Sequence, residues 1–386
     1  MVKVMFPAIF VFKNVGRKDN NYLGFRNQDL GFSDYWGDKG INCTFRSLIM
    51  TMKKPNFAAF KALIKKSKNI VIVTHWSPDG DAMGSSLALY NYLLKIKKKA
   101  TVIVPNEYPE FLKWMPGDNK VLNHQSDSAK VETLVAKADV IFTLDFNNLK
   151  RIEKLGEFVG TSKATKVLID HHQQPEKYAK LMYHDVKCCS TCEMIYDLIV
   201  GMGGKKLIDK KIAACLYTGL MTDTGSFRFS SVSAKTHAIL SDLIKAGAVP
   251  YHIHEAVYDT YSYSRMKLIG YALTQKMVVI PEKRIGYIAL SNEELKRFDF
   301  QKGDTEGLVN YPLTIKNIKF SAYFAEMDGK VKISFRSKGK FDVNAFARTH
   351  FSGGGHINAA GGKSDLSLEE TIQKFLDIIN QNGFSA

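Results

Sequence analysis

From Pro55 onward the sequence alternates short, continuous apolar runs with amphipathic ones, and this rhythm restricts the fold more than any other feature. The runs "NIVIVTH", "ATVIVP", "DVIFTLDF" and "TKVLIDHH" are brief and unbroken, as strands buried on both faces are. Between them lie "FAAFKALIKKS", "AMGSSLALYNYLLKI", "VETLVAKA" and "LKRIEKLGEFV", whose apolar residues recur at helical spacing. The expected fold class is therefore α/β, with a parallel sheet carrying helices on both faces. Three of the strands end in histidine or aspartate: His75, then Asp145, then Asp170 with His171 and His172. Ligand sites in open α/β sheets lie beyond the carboxyl ends of the strands, so these endings can converge on one crevice.

At 386 residues the chain exceeds the size at which one core keeps growing, and two domains are expected. Residues 1–51 lack periodicity and read as a poorly ordered extension or a misassigned start, with Met50 and Met52 as alternative initiators. Residues 52–250 form the first domain and 251–262 a connector. Residues 263–386 form a smaller α+β domain, in which Asp328-Gly329 between alternating runs signals a hairpin. The segment "KKIAACLYTGLMTDTGSF" adds Asp223 where a helix breaks near Gly225. "MFPAIFVF" is too short to cross a membrane and is followed by no cleavage pattern, so no membrane association is expected. The bunched Cys188, Cys189 and Cys192 have neither disulfide nor zinc spacing, which fits buried thiols in the cytoplasm. A net charge of +16 favours polyanionic ligands, although many lysines sit on helix surfaces where solvation alone explains them.

The stretch "VTHWSPDGDAMGSS" crowds His75, Asp79 and Asp81 into one turn, with Pro78 and Gly80 opposing a continuous helix through it. Asp81 could act as a helix cap, but capping leaves Asp79 and His75 unexplained. A cation explains all three, because clustered carboxylates need opposite charge to stay ionised. Asp145, His171 and Asp223 complete six candidate ligands. Carboxylates with imidazoles and no thiolate point to Mn²⁺ or Mg²⁺ rather than tetrahedral zinc. Six ligands suffice for two ions if one carboxylate bridges, an arrangement suited to hydrolysing phosphate esters. In an extended continuation the adjacent His171 and His172 would point to opposite sides, so that one ligates and His172 meets the substrate. Taken singly, Asp145 could be a turn residue and "DHH" a surface turn.

"FSGGGHINAAGG" places Gly353, Gly354, Gly355 and His356 where a backbone could approach an anion and present N–H groups to it, or could simply turn. Arg336, with Lys338, Lys340 and Arg348, supplies charges for phosphates or lines a solvated edge.

In their order, "VTHWSPDGDAMGSS", "TLDF", "LIDHHQQP" and "MTDTGSFRFS" resemble the four motifs of the DHH phosphoesterase superfamily, and "FRSKGKFDVNAFARTHFSGGGHINAAGG" resembles its DHHA1 domain. The resemblance runs from about Asn56 to the C-terminus, and within the superfamily it is to the stand-alone nanoRNase and pAp phosphatase group. It implies a DHH catalytic domain, a DHHA1 substrate-binding domain and an active site in the cleft between them. It further implies two Mn²⁺, with Mg²⁺ or Co²⁺ as alternatives. His75, Asp79 and Asp145 would hold one ion, and Asp81, Asp145, His171 and Asp223 the other. His172 would contact the reacting phosphate, while Arg336, Gly353, Gly354, Gly355 and His356 would bind the substrate. Asp170 is expected to orient a histidine rather than to ligate. Short single-stranded RNA and 3'-phosphoadenosine 5'-phosphate (pAp) are the implied substrates; a homodimer is a possible assembly that no residue pattern in the sequence supports. Cyclic dinucleotides or their linear products are the rival substrates within the superfamily, and a non-catalytic nucleotide-binding module is the rival from another class.

Overall fold

The computed structural model describes residues 55–327 and 329–381. The expectation for residues 1–51 and the Asp328 half of the hairpin signal lie outside the described residues. The first sheet consists of β1 (Asn69–Thr74), β2 (Lys99–Val104), β3 (Leu122–Asn123), β4 (Val140–Leu144), β5 (Thr165–Asp170) and β6 (Leu181–His184). All neighbouring strands are parallel, in the order β3-β2-β1-β4-β5-β6. The chain thus runs outward from β1 in both directions. The order reverses between β1 and β4, and a crevice opens there beyond the strand ends.

The helices are α1 (Phe57–Lys66), α2 (Gly80–Lys95), α3 (His124–Ala136), α4 (Leu155–Thr161), α5 (Thr191–Gly201), α6 (Lys210–Asp223), α7 (Ala234–Lys245) and α8 (Pro250–Tyr258). Ile72, Phe142 and Ile169 face one core with Leu87, Ile195 and Leu216, and Val71, Val73 and Ile141 face a second with Val131 and Val159. Burial on both faces explains the unbroken apolar strands: each such side chain contributes about 1.5–3 kcal/mol when withdrawn from water. The run "LKRIEKLGEFV" is not one helix. A 3₁₀ turn at Leu149–Ile152 is separated from α4 by Glu153, which has φ +48°, and Lys154. Ile253 and Val257 of α8 join the first core, leaving residues 259–262 between α8 and α9 (Tyr263–Gln275).

The second sheet holds β7 (Met277–Ile280), β8 (Ile285–Leu290), β9 (Phe320–Met327), β10 (Lys330–Ser337), β11 (Gly354–His356) and β12 (Ala359–Ser364), with α10 (Asn292–Arg297), α11 (Val343–His350) and α12 (Leu368–Asn380). Its order is β11-β12-β10-β9-β8-β7, and every pair is antiparallel except β8 with β9. Met327 pairs with Lys330, so β9 and β10 form a hairpin whose Gly329 has φ +72°, as a two-residue turn requires. Phe320, Phe324, Phe335, Phe346, Phe351 and Phe375 build the core, with Phe335 centred 5.2 Å from Phe346 and 5.4 Å from Phe351. No helix among the described residues is long and apolar enough to cross a membrane.

Candidate metal centre

β1 delivers His75 to the crevice, β4 delivers Asp145, and β5 ends in Asp170, followed by His171 and His172. Asp145 has φ +66°, the left-handed region that a non-glycine residue enters at a cost of about 1–3 kcal/mol, aspartate among the more tolerant. That turn at the strand end directs a carboxylate that is 2% exposed among the histidines. Its Oδ2 lies 3.5 Å from His75 Nε2 and its Oδ1 lies 3.4 Å from His171 Nε2. Thr191 Oγ1 donates to Oδ1 at 2.9 Å. The two oxygens of one side chain therefore face two different histidines.

Around His75 stand Asp79, at 3.8 Å, and Asp145; around His171 stand Asp81, at 3.7 Å, and Asp223, at 3.5 Å. Within the triad His75, Asp79 and Asp145, and within the triad Asp81, His171 and Asp223, the ligand atoms all lie within 4.8 Å of one another. All six candidate ligands meet in one place. Asp79 rather than Asp81 caps α2: the helix starts at Gly80, earlier than the run "AMGSS" suggests, and Asp79 Oδ1 accepts from Asp81 N and Ala82 N. Asp79 Oδ2 remains directed at His75. Asp81, 1% exposed, has a different seat, the N-terminus of α5, where Thr191 N and Cys192 N donate to it at 2.6 and 2.9 Å. A carboxylate is favoured there by the unpaired amides and the helix dipole. Gly219 of α6 permits this packing, since a Cβ there would lie 2.2 Å from Cys192 Sγ and 2.9 Å from Asp81 Oδ1.

The donor chemistry fits divalent cations. His75 Nδ1–H donates to the Trp76 carbonyl at 2.9 Å and His171 Nδ1–H to the Cys188 carbonyl at 3.2 Å, which leaves both Nε2 lone pairs aimed at the carboxylates. With only protons to balance the acids, the cluster titrates abnormally. Burial would depress His75, but Asp145 and Asp79 push it up to about 10. His171 is raised well above its usual range against the same burial, by Asp145, Asp223 and Asp81. Burial and then Asp145 and Asp223 lift Asp81 well above the carboxylate range. Burial also raises Asp223, to about 7, with His171 opposing. Asp145 stays well below its normal range because His171 and His75 outweigh its burial. The raised values of His75, His171, Asp81 and Asp223 mark a surplus of negative charge that cations could balance instead.

His171 and His172 do not diverge to opposite sides. β5 ends at Asp170, the extended geometry stops, and both rings share the crevice with centroids 5.1 Å apart at 74°. His172 Nδ1–H donates to Asp170 Oδ1 at 2.7 Å, and burial followed by the Arg151 charge lowers its pKa. His356 enters from the second domain, stacked on His172 at 4.3 Å and tilted to His171 at 4.5 Å. Arg336 is half-buried and senses Asp223, Asp79 and Glu306, so it faces the acidic cluster. Of the other expected phosphate-binding cations, Lys338 Nζ donates to the Leu313 carbonyl and Arg348 Nε to Asn344 Oδ1, so both are engaged elsewhere. Gly354 and Gly355 are not a free turn but strand β11, paired with Gly361 and Ala360. A Cβ on Gly353 or Gly355 would lie 2.0 or 2.4 Å from a carbonyl oxygen of β12, and the Gly355 N–H is donated to Asn344. Close approach of chain to chain accounts for those two glycines.

Sequence patterns do not single out Thr191 or Arg151. Thr191 follows a Ser190 cap that marks a helix start, the one signal that an acid could be received there. Arg151 is half-buried on the 3₁₀ turn, its carbonyl accepts from Trp76 N at 2.8 Å, and its charge depresses both His172 and His356. No carboxylate pairs with it among the described residues. The clustered Cys188, Cys189, Cys192 and Cys215 are buried free thiols whose pKa values are raised by that burial.

Residues 69–220 match the DHH family, N-terminal domain, and residues 285–382 match the DHHA1 domain. The probable bifunctional oligoribonuclease and PAP phosphatase NrnA of Streptococcus mutans is 29% identical over 326 residues, covering 83% of this chain and 98% of that one. The bifunctional oligoribonuclease and PAP phosphatase NrnA of Bacillus subtilis is 28% identical, covering 80% of this chain and 93% of that one. The crystal structure of an exopolyphosphatase-related protein from Bacteroides fragilis superposes with a TM-score of 0.80 and 43% identity, covering 84% of this chain and 95% of that one. With both domains matched in order on a shared fold, the chain belongs to the DHH/DHHA1 phosphoesterase superfamily, alongside its stand-alone NrnA-like members, and is a hydrolase of phosphoric ester bonds.

Proposed function

We propose that the protein is a Mn²⁺-dependent phosphoesterase that hydrolyses short oligoribonucleotides to mononucleotides and pAp to AMP, in a cytoplasmic setting. The observation that carries this reading is the division of the Asp145 carboxylate between the His75 and the His171 triads. His75, Asp79 and Asp145 would hold one cation, and Asp81, Asp145, His171 and Asp223 the other, with Asp145 common to both. Such a pair, when bound, lowers the pKa of water and offsets the charge that gathers on a reacting phosphate.

The chain's own groups do the rest. Thr191 and the two amides of α5 fix Asp145 and Asp81, so these ligands need no rearrangement on binding. Asp170 fixes the His172 Nδ1 proton, which leaves Nε2 as the atom to meet a phosphate oxygen, as a donor when protonated. Arg336, Arg151 and His356 surround the same crevice and can receive further phosphate charge. The names of the Streptococcus mutans and Bacillus subtilis relatives support oligoribonucleotides and pAp as the substrates.

The test offers purified protein with Mn²⁺ pAp, RNA dimers to pentamers, cyclic di-AMP and a long single strand. The expected outcome is phosphate from pAp and mononucleotides from short RNA, with much slower turnover of the long strand. Exclusive turnover of the cyclic dinucleotide would reassign the substrate, and no turnover of any ester would overturn the enzymatic reading.

A further inference from the structure

A chain of hydrogen bonds joins the two domains beside the site through Gln173 and Asn344. Gln173 directly follows His172, and its main-chain carbonyl accepts from Asn147 Nδ2 at 2.5 Å, two residues beyond Asp145. Its side-chain Oε1 accepts from Asn344 Nδ2 at 2.9 Å. Asn344 lies in the first turn of α11 and is 2% exposed. Its Oδ1 accepts from Gly355 N at 2.9 Å and from Arg348 Nε at 3.1 Å. Both of those partners are N–H groups that cannot accept, so the Asn344 amide has one permitted orientation. Nδ2 must then face Gln173, and Gln173 must present its oxygen. Neither residue belongs to the candidate metal ligands, yet the path they form leads from the turn after Asp145 to the residue before His356.

We propose that Gln173 and Asn344 are positioning residues that seat the Gly353–His356 segment of the second domain against His171 and His172, and so set how the second domain meets the substrate. The proposal rests on the functional reading above. His356 meets the two histidines by ring contacts, stacked on His172 at 4.3 Å and tilted to His171 at 4.5 Å, contacts that tolerate sliding. An imidazole that meets a phosphate needs its position held to about 0.5 Å. The Gln173 to Asn344 bond supplies that constraint across the domain boundary, while the Asn344 to Gly355 bond carries it to the segment. Because Asn344 is buried, loss of its acceptor leaves an N–H without a partner, which favours the paired, closed arrangement.

Gln173 gives the clean test, since replacing it leaves the Asn344 to Gly355 bond and its own main-chain bond to Asn147 in place. In the full-length protein, Gln173→Met keeps the side-chain length and removes the acceptor, whereas Gln173→Glu keeps an acceptor oxygen. Amide hydrogen exchange of residues 353–356, metal content, and kcat and KM for pAp with Mn²⁺ are measured. Gln173→Met should speed exchange in that segment and raise KM about tenfold, the size of one lost hydrogen bond, with kcat little changed and metal content intact. Gln173→Glu should restore the exchange protection. Wild-type exchange and wild-type KM in Gln173→Met would overturn the proposal, as would a fall in kcat that tracks lost metal. If the wild-type protein turns over neither pAp nor short RNA, the functional reading fails, and the exchange comparison still decides whether the bond seats the segment.

Discussion

Asp145 combines a left-handed backbone, near-complete burial and two oxygens aimed at different histidines. No packing benefit accounts for this combination, because an apolar residue in an ordinary conformation would fill the strand end at lower cost. The conformation instead places a charge between the two triads of candidate ligands. Asp145→Asn keeps the shape and can still accept from Thr191, but removes the negative charge shared by His75 and His171. It should lose at least about 100-fold in turnover, the scale on which disrupting the support of a metal ligand is felt. Mn²⁺ at about 100 times its Kd should stabilise the wild-type protein by about 2.7 kcal/mol in thermal unfolding, and this gain should be absent in Asp145→Asn. Equal stabilisation of the two proteins would remove Asp145 from the ligand set.

At the scale of elements, three helices converge on Asp81: its own α2, α5 through two N-terminal amides, and α6 through the absent side chain of Gly219. Gly219→Ala would force a methyl group into Cys192 Sγ and the Asp81 carboxylate. The expected result is destabilisation by about 1–3 kcal/mol, the usual cost of overpacking, with weakened metal affinity beyond what unfolding explains. Denaturant unfolding and metal titration check the two parts separately. This junction also shows what the sequence makes legible. His75, Asp145, His171 and Asp223 stand out because each interrupts or ends an apolar run, and a periodic pattern exposes its own interruption. Asp79 and Asp81 can be recognised as a pair, but which of them caps α2 depends on where that helix starts, and Gly80 after Pro78 disguises that start. Thr191 and Gly219 contribute through an amide and a missing side chain, contacts between elements far apart in the chain, and no local pattern records them. The glycines before His356 suggest an anion loop, whereas close approach to β12 requires Gly353 and Gly355 on steric grounds.

For the molecule as a whole, the proposed function divides the work between the two sheets. The two triads, His75 with Asp79 and Asp145 and Asp81 with His171 and Asp223, come wholly from the first domain, while Arg336 on β10 and His356 on β11 come from the second, His356 within ligand distance of His171 and His172. Metal binding and substrate binding should therefore separate under mutation. Arg336 is half-buried beside acidic groups, and its burial, only partly offset by Asp223, Asp79 and Glu306, lowers its pKa from the usual arginine value. A guanidinium cannot ligate a metal, and under the proposed function its charge would hold a substrate anion. Arg336→Ala should bind Mn²⁺ with wild-type stoichiometry and raise KM for pAp about 10- to 100-fold, as expected for one charge-assisted hydrogen bond of about 1.5–3 kcal/mol. Asp145→Asn should show the opposite pattern, losing metal first. Metal content measured beside steady-state kinetics for both variants checks the division. If Arg336→Ala lost metal as Asp145→Asn does, the second domain would be part of the metal centre itself and the separation of roles between the sheets would not hold.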